Sequence, residues 1–95
     1  MRNLPVLLKE KCDAISETVA EVLSDPYVTE LDVDEYIRAQ LYYIEHVKNM
    51  PSKSSIAAAK KYNTTPCDFV EDLLYLHRYT IVELRRQAMQ LGMEV

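Results

Sequence analysis

The chain has 95 residues, 48% of them hydrophobic, with one glycine, four prolines and a formal charge of −4. That length suits a single domain over residues 1–95, and the composition excludes a disordered or collagen-like chain. The acidic balance argues against a general nucleic-acid coat, because a polyanion is held by local positive charge.

Charge is unevenly spread. Residues 1–50 carry 5 basic and 10 acidic groups, and residues 51–95 carry 6 basic and 5 acidic. Asp25, Glu30, Asp32, Asp34 and Glu35 form an acidic elbow; Lys48, Lys53, Lys60 and Lys61 form a basic one. Cys12 and Cys67 have no CxxC spacing, and with His46 and His77 they read as no zinc arrangement, so neither metal nor cofactor is expected. Charge breaks the apolar N-terminal stretch, which fits neither a signal peptide nor a membrane span. A cytoplasmic protein with reduced thiols is the expectation.

Helical periodicity accounts for nearly every residue. In the first segment Asn3 can cap and Pro5 sits near the first turn. Leu8, Cys12, Ile15, Val19 and Val22 then make a stripe, widened by Leu4, Leu7 and Leu23, that ends before Pro26. The second helix is expected to start at Asp32, with Leu31 as a hydrophobic staple and Asp32 and Glu35 in capping-box positions. Val33, Ile37, Leu41, Ile44 and Val47 are its stripe. Ser52, Ser54 or Ser55 can cap a short helix over Ile56 to Tyr62, followed by Asn63 in the left-handed conformation. Thr65-Pro66-Cys67-Asp68 reads as the next helix start, and Gly92 as its stop.

That last helix would be about 39 Å long, against a domain expected to be roughly 26 Å across. Its end projects, or it bends near Thr80, or it packs on a second copy in a homodimer. Val70, Leu74, His77, Ile81, Leu84, Ala88 and Leu91 form one stripe, and Phe69, Leu73, Leu76 and Val82 spread it widely, as in a central helix. The expected fold is all-α: a four-helix compact domain with a long C-terminal helix.

Residues 54–74 carry a small Ala59, the turn residue Asn63, the cap Thr65 and apolar Phe69 and Leu73. This segment resembles the helix-turn-helix of bacterial and phage regulators. The resemblance implies a helix-turn-helix-like corner and, as one alternative, a sequence-specific DNA-binding regulator touching phosphate through Lys53, Lys60 and Lys61. Thr64 departs from the apolar residue usual at its position. Asp68, Glu71 and Asp72 on the second helix would repel phosphate.

His77 on an apolar stripe reads as a core or interface residue, and neither histidine belongs to HExxH. No serine elbow or phosphate loop appears, and an enzyme is not expected. Seven tyrosines against one phenylalanine and no tryptophan suit core edges or a partner surface. The leading expectation is a non-catalytic macromolecular interaction protein of the small phage or bacterial regulator kind. It would occupy a partner surface through the ridge of Tyr75, Arg78 and Tyr79, through the acidic face of Asp68, Glu71 and Asp72, or through both. A structural subunit that co-purifies in fixed ratio is a third reading.

Overall fold

Four helices follow one another in the computed structural model, which describes residues 4–95 and side chains from Leu8 onward. They are α1 (Leu4–Leu23), α2 (Glu30–Lys48), α3 (Ser52–Lys61) and α4 (Pro66–Gln90). The expected cap at Asn3 and the side chains of Leu4 and Leu7 lie outside the described residues. The all-α, four-helix architecture with a long C-terminal helix is the one anticipated.

The breaks have identifiable chemistry. α2 is capped three residues earlier than expected, by Thr29 rather than Asp32. Thr29 Oγ1 accepts from the Asp32 amide at 3.3 Å while the Thr29 amide donates to Asp32 Oδ2 at 2.9 Å, completing a capping box. Leu31 is consequently the second helical residue, 75% exposed, and staples nothing. α3 also starts early, directly after Pro51, and no serine side chain caps it. Ser55 instead turns inward and donates to the Ser52 carbonyl at 2.9 Å.

α3 and α4 stop in the same way. Asn63 and Gly92 adopt positive φ (54° and 84°), and the amides that follow, Thr64 and Met93, return to the Ala59 and Ala88 carbonyls. This pairing satisfies carbonyls that the helix leaves open. Between α3 and α4, Thr65 Oγ1 accepts from the Asp68 amide at 3.2 Å, with Pro66 in the first turn. Residues 56–74 are therefore two helices with a true break.

α4 is the spine. Every close approach between helix backbones among the described residues involves it, with α1, α2 and α3 each packed against it. Its 25 residues span about 37 Å, nearly the full length of a flattened molecule measuring 41 × 27 × 15 Å. The core joins Val19 and Leu23 of α1, Val33, Ile37 and Ile44 of α2, and Ile81, Leu84 and Ala88 of α4. Val28, from the α1–α2 connector, and Met93, just past the Gly92 stop, close over it. Leu41, expected in the α2 stripe, is instead 52% exposed. Steps of four residues gain about 40° each, so Leu41 has rotated off the face and Gln40 occupies the inward position. α3 buries only Ser55 and Ala59, which lets it approach α4 closely but adds little apolar burial.

Candidate functional site

Two sides of α4 need separate description. On the inner side Glu83 is a buried carboxylate, 6% exposed. Arg86 grips it with both donors of its fork, Nε to Oε1 at 3.0 Å and Nη2 to Oε2 at 2.7 Å. Gln87 Nε2 donates to Oε2 at 2.9 Å and to the Ser16 carbonyl of α1 at 3.0 Å. Ser16 Oγ and the Tyr79 hydroxyl lie 2.8 Å apart. The Arg86 hydrogen bond holds Glu83 below its ordinary carboxylate value against the opposing effect of burial, helped by Gln87 and the nearby Tyr79 hydroxyl. A buried carboxylate saturated in this way clips α1 to α4, and removing one partner would leave a costly uncompensated group.

Cys12 is buried beside this network, and burial, with the charges of Asp13 and Glu83, keeps its thiol protonated above the ordinary value. Cys67 is an exposed free thiol in the first turn of α4. His77 Nδ1 lies 2.7 Å from Gln40 Oε1, with the Tyr43 ring at 5.6 Å. Burial lowers its pKa, so the ring is neutral at pH 7 and donates its Nδ1 proton to Gln40. His46 is exposed and stacks on Tyr42 at 6.3 Å. Among the described residues no three His, Cys, Asp or Glu side chains gather as a metal ion would require.

The outer side of α4 carries most of the sequence-predicted partner residues. Glu71 and Arg78 are exposed, Tyr75 is 51% exposed, and Asp68 and Asp72 are partly exposed near the helix start. Tyr79 stands apart from them: it is partly buried and its hydroxyl is committed to Ser16. The exposed surface runs on past Tyr75 through Val82, Arg85 and Met89, all solvent-facing. Their seven-residue spacing from Tyr75 and Arg78 was the available sequence signal for this continuation. Glu83 had none, because Glu followed by Arg and Gln three and four residues on is equally the pattern of a solvated helix face.

At the corner, Lys53, Lys60 and Lys61 are exposed on α3, with Lys61 Nζ 5.8 Å above the Tyr62 ring. Tyr62 in turn stacks on Phe69 at 5.8 Å, joining the two sides of the break. Ile56, Lys60, Asn63, Thr65, Pro66 and Asp68 line an open depression there. Among the described residues no helix is long and apolar enough to cross a membrane. No protein-family model, curated protein or solved structure matches the chain.

Proposed function

We propose that this chain is a non-catalytic interaction protein that acts by occupying the surface of a macromolecular partner, in the manner of a small phage or bacterial regulator. The observation that carries this is the outer face of α4. Tyr75, Val82 and Met89 leave half or more of their surface in solvent, between Glu71, Arg78 and Arg85. Six of the seven tyrosines are exposed, and Tyr79 is the one drawn into the structure. Large rings with a polar tip are favoured at contacts and give much area for little side-chain entropy. Asp68, Glu71 and Asp72 at the helix start add acidic character that suits a basic partner patch.

The test is capture by the immobilised chain as salt is raised. The native chain should retain a partner, and a Tyr75→Ala, Arg78→Glu variant of unchanged helicity should release it. Equal retention by both would contradict the proposal.

A second reading, a sequence-specific DNA-binding regulator, is supported by the exposure of Lys53, Lys60 and Lys61 beside the Asn63 break. It requires tight retention on duplex DNA, lost steeply with salt and weakened by Lys60→Ala and Lys61→Ala. Failure to bind duplex DNA at low salt would remove it.

A further inference from the structure

Resting on the reading of the outer α4 face as a docking surface, we propose that its occupant is a second copy of this chain, laid antiparallel along the same helix. Two rows of side chains carry the inference. Tyr75, Val82 and Met89 form an apolar row, 51%, 59% and 63% exposed. Glu71, Arg78 and Arg85 form a charged row beside it, each exposed. Residues seven apart drift only about 20° around a helix, so both rows run nearly straight. Together they cover about 27 Å of helix.

Neither row belongs to the core of the chain, although Leu74, Ile81 and Ala88 repeat at the same interval on the core side. The core residues Ile81, Leu84 and Ala88 lie on other arcs of α4. Among the exposed charges on the other long helices, Lys9 pairs with Asp13 at 3.4 Å and Arg38 with Asp34 at 3.0 Å, each within one turn. Four residues beyond Glu71, Arg78 and Arg85 stand Tyr75, Val82 and Met89, so no such pair forms. A seven-residue repeat of apolar positions is what helices wound gently around one another present to each other.

Charge decides the orientation. A parallel copy would set Glu71, Arg78 and Arg85 each against its own equivalent. An antiparallel copy, with the twofold axis crossing α4 beside Arg78, sets Glu71 opposite Arg85 of the second copy and Tyr75 opposite Val82 of the second copy. Glu71 and Arg85 both stand about 10 Å along the helix from that axis, on opposite sides. Only Arg78 then approaches its own equivalent, and its long side chain can turn to the solvent edge.

Area permits this occupant: the chain exposes 6919 Å², and a stable dimer removes about 800 Å² from each partner.

Sedimentation equilibrium of the full chain over a wide concentration range tests the proposal. The mass should rise from 11.0 kDa towards twice that value. Val82→Lys should weaken association about tenfold or more, with helicity and unfolding midpoint of the dilute chain unchanged. Glu71→Arg should weaken it as well, and the double variant Glu71→Arg, Arg85→Glu should recover it, because the pair across the axis is restored in reversed sense. A single-chain mass at millimolar concentration, undiminished association of Val82→Lys, or no recovery in the double variant would each overturn the antiparallel pairing. If the chain stays single while Tyr75→Ala, Arg78→Glu still releases a different captured partner, the second copy is wrong and the docking surface stands. If those substitutions change neither association nor capture, both fall.

Discussion

Tyr75 and Tyr79 stand one turn apart on α4, yet Tyr75 is 51% exposed while the Tyr79 hydroxyl lies 2.8 Å from Ser16 Oγ. The same contrast separates Glu71 from Glu83, which Arg86, itself exposed, reaches back to grip. On the inner side the acid, the base and the phenol belong to one network that ties α1 to the spine. On the outer side residues of the same types stand apart in solvent. Identical chemistry thus becomes a structural clip or a contact surface according to which arc another helix covers. Chemical type alone does not separate the two roles; the position of α1 does.

The largest difference between the two arcs should come from apolar truncation. Leu84, 4% exposed, fills the core, and Leu84→Ala should lower unfolding free energy by about 3 kcal/mol through lost transfer and cavity terms. Val82→Ala on the outer arc should cost no more than about 0.5 kcal/mol in dilute solution. Urea titration of both variants measures this, and comparable losses would erase the distinction.

A smaller effect sharpens it at the carboxylates. Glu83→Gln replaces an ionised acceptor gripped by Arg86 and should cost about 2 kcal/mol, whereas Glu71→Gln should leave the urea midpoint of the dilute chain unmoved.

Smaller still, and confined to the inner side, is the dependence on pH. Burial depresses the His77 pKa below its ordinary 6.5. The unfolded chain therefore takes up a proton more readily, and stability present above pH 6.5 is lost as pH falls towards the folded-state value. Glu83 is also depressed, from 4.5, so a second loss follows below pH 4.5 as its folded-state value is crossed. Denaturation midpoints across pH 3–8 should show both, and His77→Gln should flatten only the upper step. A His77→Gln profile matching the native one would remove His77 from this account.

Much of this fold was legible in the chain. Proline, the left-handed Asn63 and Gly92, and the Thr65 cap mark real boundaries, and the stripes of α1 and α4 face the core as far as Ala88; Leu91, at the α4 cap, and Val82, expected to widen the stripe, are instead 60% and 59% exposed. The misplacements have physical causes. Thr29 and Asp32 both offer cap chemistry three residues ahead of an acid, and only the backbone turn at Thr29 decides between them. Leu41 fits a four-residue step, but accumulated rotation carries it outward while Gln40 meets His77. The outer face of α4 was half legible, through Tyr75 and Arg78. Tyr79 reads as their neighbour because residues four apart on a helix look adjacent, although a 40° turn is enough to bring it under Ser16. The Glu83 clip was not legible, since its partners reach it partly from α1, 71 residues away in sequence at the Gln87–Ser16 contact.

The claim that the two arcs of α4 differ in kind is tested most directly by fluorine NMR of the chain labelled with 3-fluorotyrosine, assigned with Tyr75→Phe and Tyr79→Phe. The Tyr79 resonance should be displaced from that of free fluorotyrosine and stay fixed as concentration rises, while the Tyr75 resonance should move and broaden. A Tyr75 signal indifferent to concentration, or a Tyr79 signal that shifts along with it, would contradict the account.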